Sequence, residues 1–167
     1  MIIEDFIIIN ELGLYCRIGD FFLDPLIPCV NAVISHAHGD HAGKSNQNIF
    51  CTAPTGLIMK HRYQKNAGKH FNIYPYGESF KLNGVEITFI PAGHIIGSAQ
   101  VLMEFDGVRY LYTGDYKLQD DATCEKIEFV KADVLITETT FADPSVNHPD
   151  AAVEIRKLND FDPNKTL

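Results

Sequence analysis

The 167-residue sequence predicts an α+β protein, with sheets built from short strands and covered by occasional helices. Three observations lead there. Apolar, β-branched runs separated by tight turns fill the first two thirds of the chain. Asp106-Gly107 between two such runs is a two-residue hairpin signal. Helical periodicity is confined to two places, about 54–66 and 149–160. The length suits one domain, 1–167, and 46% hydrophobic with 22% charged residues is the balance of a globular chain. Such a chain can bury roughly two thirds of its unfolded surface, enough for a sizeable core.

Phe6-Ile7-Ile8-Ile9 reads as a buried-type run, and Leu12 to Ile18 and Phe21 to Asp24 as short strands broken at Gly19-Asp20. Ala32-Val33-Ile34-Ser35 is β-branched and stops abruptly at polar residues, and Ile49 to Thr52 is another strand. Pro54 suits the first turn of a helix that runs to Asn66 and ends before Gly68. Val85 to Ile90 alternates like a half-buried strand and ends at Pro91. Gln100 to Phe105 and Val108 to Thr113 flank the hairpin turn, and Ala132 to Thr137 is the last strand. Pro149 to Asp160 places Ala151, Ile155 and Leu158 on one helical face.

The 14 basic and 22 acidic side chains give a net charge of -8, which argues against a broad basic surface for nucleic acid or anionic membrane. A phosphate substrate is still compatible if metals supply the positive charge; two divalent ions would bring -8 to -4. Lys60, Arg62, Lys65 and Lys69 are a local basic cluster, readable as a solvated helix face or as phosphate contacts. The start is acidic and no apolar run approaches the roughly 18 residues of a membrane span, so the expectation is a cytoplasmic protein with no membrane partner. Cys16, Cys29, Cys51 and Cys124 lack metal-knuckle spacing and read as free thiols in or near the core.

The densest chemical signal is His36-Ala37-His38-Gly39-Asp40-His41, directly after a strand. His36 and His38, two apart in extended backbone, project to one side and can grip one ion; Asp40 and His41, past a glycine turn, can face a neighbouring ion. Two later strands also end in potential ligands, His94 in Gly93-His94-Ile95-Ile96-Gly97-Ser98 and Asp115 after Gly114. Six donors suffice for two metals about 3.5–4 Å apart, with Asp115 able to bridge and Asp40 able to orient a water. Imidazole and carboxylate suit zinc first, with manganese or iron as alternatives.

His36 to His41 resembles the HxHxDH signature of the metallo-β-lactamase superfamily, whose further ligands match His94 and Asp115 in order. The resemblance implies an αββα sandwich of four layers with a dinuclear metal site at the edge of its sheets. Gly93 to Ala99 is similar to the GHxxGSA form of the β-CASP nucleases, and Thr137 to Phe141 looks like their motif with an acid at a strand end, which maps to Glu138. Gly13 to Cys16, Gly19-Asp20, Asp24-Pro25, Gly114 to Lys117 and Thr123-Cys124 resemble a bacterial subgroup described as DNA-ligase-associated exonucleases or messenger RNA 3′-end processing factors. Members of that subgroup continue into a β-CASP domain and a return segment, so the chain reads as the N-terminal part of such a protein. The missing part carries a general-acid histidine and a last metal ligand. His148, before Pro149, reads as a surface or capping residue rather than a replacement; His61 reads as partly buried on its helix and His70 as exposed.

The function so implied is metal-dependent hydrolysis of nucleic acid, DNA or RNA, in an exonuclease-like mode. His36, His38 and His94 would hold the first ion, Asp40 and His41 the second, with Asp115 between. Asp40 and Glu138 are the candidate catalytic acids, Asp40 orienting water. Glu138 supports the leaving-group histidine in relatives and has an equal structural reading here, as has Ser98. Family analogy adds a DNA ligase or helicase as partner, and an edge left exposed would favour a homo-oligomer. Two alternatives share the fold: a hydrolase of small phosphodiesters or thioesters, and a non-catalytic metal-binding module.

Overall fold

The strands divide between two sheets in chain order. The structure is a computed structural model that describes residues 1–140, 142–146 and 149–159. The first sheet has the order β1 (Ile7–Asn10), β2 (Gly13–Cys16), β3 (Phe21–Leu23), β4 (Asn31–Val33), β5 (Asn46–Cys51) and β6 (Gly68–Ile73). It is antiparallel from β1 to β3 and parallel from β3 to β6. Helix α1 (Ala53–Tyr63) and a 3-10 turn, Gln64–Asn66, make the crossover from β5 to β6. The second sheet comprises β7 (Ser79–Leu82), β8 (Val85–Pro91), β9 (Ala99–Phe105), β10 (Val108–Tyr112) and β11 (Val134–Ile136), in the order β11-β10-β9-β8-β7. Only the β10–β11 pair is parallel there. Helix α2 spans Ala151–Asn159.

Side chains alternate along each strand, so one face of each sheet enters a shared core. Phe21, Leu23, Val33 and Phe50 of the first sheet meet Val85, Ile87, Phe89, Val101, Met103 and Tyr110 of the second. Phe6 stacks on Tyr110 with ring centroids 3.8 Å apart, and the Tyr110 hydroxyl accepts from the Ile3 amide at 2.8 Å, which ties the N-terminus to the second sheet. Helix α1 covers the outer face of the first sheet by packing Met59 with Ala32, Ile34, Ile49 and Cys51. The outer face of the second sheet is lined by Ile90, Leu102 and Leu111, with Val130 against them.

One consequence of the pairing positions the functional residues. Strands β3, β4 and β5 run parallel, so their C-termini share one edge. Strands β8 and β10 are both antiparallel to β9, and β11 is parallel to β10, so these three also exit together. Asp24, Ser35 to His41, Thr52, Gly93 to Ser98, Gly114-Asp115 and Glu138 are the exits of those six strands.

Several expectations need correction. Phe6 is buried, but Ile9 is 82% exposed, because β1 is an edge strand paired on one side only. Strand β8 is buried nearly throughout rather than on one face, since β7 and β9 flank it and Ile90 is covered from outside. Strands β6 and β7 were hidden by their polar residues, Lys69, His70, Asn72, Ser79 and Lys81, tolerated because each lies at a sheet edge. His61 is exposed rather than partly buried; Thr55, Gly56 and Met59 form the inward face of α1. Helix α2 forms, yet Ile155 is 62% exposed. Phe141 and His148 lie outside the described residues.

Candidate metal centre

Strand β4 ends inside the sandwich, and the next residues must turn to reach β5. The turn is closed by the amides of His41 and Ala42 donating to the His38 carbonyl at 3.2 and 2.8 Å. That turn places His36, His38 and His41 around a point that His94 and Asp115 approach from the second sheet. His36 Nε2 lies 3.0 Å from His38 Nδ1, which lies 3.1 Å from His94 Nε2. The three rings stand nearly perpendicular to one another, at 83°, 89° and 80°. Asp115 Oδ2 is 3.7 Å from His36 Nε2 and 3.6 Å from His94 Nε2. One donor atom from each of these four residues falls within 4.8 Å of the others.

The other carboxylate oxygen faces the other way. Asp115 Oδ1 lies 3.3 Å from His41 Nε2, and Asp40 Oδ2 lies 3.9 Å from the same nitrogen. Asp40 is 76% exposed and is the most loosely held of the six predicted ligands. Glu138 stands apart from the donor cluster; its Oε1 accepts from the Tyr116 amide at 3.2 Å. It lines a cavity of about 730 Å³ together with His38, His94, Asp115, Tyr116 and Lys117. Ser98 acts within its own loop, its Oγ accepting from the amides of His94 and Ile95 at 3.0 and 3.2 Å.

Three residues outside the predicted set organise this centre. Asp24, at the exit of β3, is 5% exposed and sits at φ 47°, a conformation uncommon outside glycine. Its Oδ1 accepts from the Ser35 amide at 2.7 Å, and its Oδ2 accepts from Ser35 Oγ, from His41 Nδ1 at 2.9 Å and from the Tyr112 hydroxyl at 3.0 Å. With its own hydrogen committed to Asp24, Ser35 Oγ can only accept from His36 Nδ1, 3.0 Å away. Both histidines therefore carry hydrogen on Nδ1, and each Nε2 lone pair points into the centre. Sequence reading found Asp24 only as part of Asp24-Pro25. The rule that found Asp115, an acid at a strand exit, applied to it equally. Gly114, at φ 52°, lets the β10 exit close on this network: a Cβ there would lie 2.7 Å from Ser35 Oγ.

Electrostatics favours neutral imidazoles at His36 and His94, where a cation would be faced. Burial, and then the neighbouring rings of His41, His94 and His38, push His36 down to about 2. Burial likewise lowers His94, against the pull of Asp115. For His41 burial acts downward, but the hydrogen bond and charge of Asp24, with Asp115 and Asp40, outweigh it and raise the group. Burial raises Asp115, and Glu138 adds to it. His38 Nδ1 faces the Nε2 atoms of both His36 and His94, and lone pairs converging at these distances repel unless a proton or a cation lies between them. Nitrogens held at about 2.0–2.1 Å around a tetrahedral zinc ion are separated by about 3.3 Å, close to the spacing found. His36, His38, His94 and Asp115 thus fit one ion by donor chemistry and by distance.

Residues 24–165 match a family described as "Beta-lactamase superfamily domain". The chain belongs to the metallo-β-lactamase superfamily. Among its relatives, a protein of Opitutus terrae named "Probable DNA ligase" is 34% identical over 151 residues, covering 89% of this chain and 15% of that protein. "Endoribonuclease YSH1" of Gibberella zeae is 32% identical over 144 residues, covering 65% of this chain and 17% of that protein. An "RNase J-like protein" of Methanocaldococcus jannaschii is 31% identical over 138 residues, covering 67% of this chain and 32% of that protein. This metallo-β-lactamase chain thus spans no more than about a third of the length of those relatives.

Proposed function

We propose that this metallo-β-lactamase domain hydrolyses phosphodiester bonds of nucleic acid, in an exonuclease-like mode, with two divalent metal ions, zinc first. The observation that carries the reading is the two-sided Asp115 carboxylate, with Oδ2 toward the His36, His38 and His94 nitrogens and Oδ1 toward His41. Bound there, a metal pair would supply an acidified water at neutral pH and neutralise charge on the scissile phosphate. The protein's own contribution is positional. His36, His38 and His94 hold one side of the centre, and His41 with Asp40 the other, while Asp115 spans both. Asp24 and Ser35 fix the hydrogen positions of two rings, so no reorganisation is needed when a cation enters. Asp40, exposed beside His41, would orient the attacking water. The cavity lined by Glu138, Tyr116 and Lys117 opens beside His94 and offers room for the substrate strand.

The nuclease names of two relatives support nucleic acid as substrate, and the name of the Opitutus protein supports association with a DNA ligase. Four free thiols suit a reducing, cytoplasmic setting. Among the described residues no helix is long and apolar enough to cross a membrane.

Substitution tests the assignment. Asp115→Ala removes the carboxylate that spans the centre; metal content should fall, and hydrolysis of single-stranded RNA, single-stranded DNA and a chromogenic phosphodiester should be lost. Cys124→Ser, outside the centre, should leave both intact. Full metal loading with no turnover on any substrate would refute hydrolysis and leave a metal-binding module. Turnover of the chromogenic ester alone would point to a small substrate.

A further inference from the structure

Charge is distributed very unevenly along this acidic chain. Between His41 and Gly77 there is no aspartate or glutamate, although the chain's average density would put about five there. The same stretch holds Lys44, Lys60, Arg62, Lys65 and Lys69. In the fold this stretch is one region: strand β5, helix α1, the 3-10 turn and edge strand β6. All five cations are exposed, as are His61 and His70 beside them. The Ser45 amide donates to the Asn66 carbonyl at 2.8 Å, which brings Lys44 beside the turn that carries Lys65.

Most described cations outside this region are ion-paired, Lys131 and Arg156 excepted. Arg17, Lys81, Arg109, Lys117, Lys126 and Lys157 each have a carboxylate partner. Among the described residues, none of the five in the region has one. A cluster of unpaired like charges repels itself, and a globular surface normally intersperses both signs. The region also adjoins the metal centre: the Arg62 guanidinium donates to the carbonyl of Ala37, the residue between His36 and His38. Lys60 lies 4.5 Å over the Phe71 ring, which holds its ammonium near β6.

We propose that the outer surface of α1, the following turn and β6 is a docking strip for the phosphate backbone of a single-stranded nucleic acid that leads to the metal centre. The inference rests on the nucleic-acid reading of the site and adds where the strand lies away from it. Five cations without a carboxylate partner, spread over one acid-free region that reaches the ligand loop through Arg62, match a repeating anion better than an isolated phosphate. A membrane would need a flat basic face with apolar residues to insert; Leu57 and Ile73 are exposed on this side but separated by the charged turn.

The test is the triple substitution Lys60→Gln, Lys65→Gln, Lys69→Gln, which leaves Arg62 and its bond to Ala37 untouched. Binding of a fluorescent single-stranded oligonucleotide is followed by anisotropy across salt concentrations, with phosphatidylserine vesicles in parallel. Each backbone contact on a single strand contributes about 0.7 to the slope of log affinity against log salt. Three lost contacts should flatten the slope by about 2 and weaken binding about 100-fold at 0.1 M salt. The chromogenic phosphodiester, too small to reach the strip, should turn over at the parental rate. Unchanged oligonucleotide affinity and slope would overturn the strip while leaving the hydrolase reading standing. Lost vesicle binding with oligonucleotide binding retained would overturn it in favour of a membrane. Weakened, flattened binding in a protein that hydrolyses nothing would support the strip and refute the hydrolase.

Discussion

Asp24→Asn is the sharpest perturbation of the centre because it changes one buried atom and no volume. The native carboxylate accepts four hydrogen bonds: one at Oδ1, from the Ser35 amide, and three at Oδ2. An asparagine can keep an oxygen on only one side. The cheaper orientation retains oxygen where Ser35 Oγ, His41 Nδ1 and Tyr112 converge, and turns the amide nitrogen toward the Ser35 N–H. That leaves two donors facing each other at a side chain only 5% exposed. One lost charge-assisted hydrogen bond with an unsatisfied buried donor costs about 2–3 kcal/mol. The three remaining bonds lose their charged acceptor as well, so this is a lower figure. The second effect is chemical. A neutral acceptor holds His41 less firmly in the Nδ1–H form, and removal of such a partner typically lowers metal affinity about 10–100-fold.

Denaturant unfolding of the metal-free protein measures the first effect, and metal titration the second. The expected outcome is a reduced midpoint with an unchanged slope, plus weakened binding at the His41 side and smaller change at the His36, His38 and His94 side. A variant as stable as the parent, taking up metal identically, would refute the claim that Asp24 sets the histidine hydrogens. Loss of stability with metal affinity unchanged would make Asp24 a purely structural residue.

Three further outcomes follow from individual contacts. His36 is held far below the ordinary histidine value, so between about 6.5 and its folded value the unfolded chain binds a proton the folded chain refuses; stability of the metal-free protein should fall as pH drops. From pH 6.5 to 5 the loss is about 2 kcal/mol, read by denaturant melts, and His36→Gln should lack it. His41 acts in a separate window, its contribution being present below about 6.5 and lost as pH rises through its raised value. Burial pushes Cys51 up to about 12 and Cys16 up to about 11, and both are enclosed; a thiol reagent at pH 8 should modify Cys124 first, Cys29 slowly and all four only on unfolding. Rapid reaction of all four in the native state would contradict the burial. Gly97→Ala places a Cβ 2.7 Å from Pro54 Cβ and 2.9 Å from Thr52 Oγ1 at φ 80°, so it should cost roughly 1–3 kcal/mol in thermal or denaturant unfolding and loosen the His94 loop.

Much of the architecture was legible because strand exits announce themselves. Apolar runs ending in His36, His94 and Asp115 marked both the ends of β4, β8 and β10 and the residues that meet there. The Asp106-Gly107 pair fixed the β9–β10 hairpin and its register, Val108 opposite Phe105. What escaped was set by neighbours rather than by local pattern. Lys69, His70 and Asn72 disguise β6, whose pairing with β5 supplies the backbone bonds its side chains do not advertise. Ile9 belongs to an apolar run, yet nothing in the run says that β1 lies at an edge. In the sequence Asp24 reads only as the end of a short strand and as part of the Asp24-Pro25 resemblance. Its importance depends on Tyr112 and His41, 88 and 17 residues away, which only the packed sheets bring to it.

The ligands come from loops, yet the loops are cross-linked between sheets directly beneath them. The Ala99 amide donates to the Ser35 carbonyl at 2.8 Å, the Tyr112 hydroxyl donates to Asp24, and Thr52 Oγ1 donates to the Gly97 carbonyl at 2.7 Å. Each of these bonds has one partner in the first half of the fold and the other in the second. The separation of His36 from His94 is therefore fixed by the sheet packing of Phe89, Val101 and Val33 rather than by the loops' own stiffness. A core substitution that lets the sheets drift apart should reach the metal centre through these three bonds. A substitution on the α1 surface that spares Arg62 and its bond to Ala37 should leave it alone. Stability and metal geometry are in this sense one property, carried by the interface between two sheets.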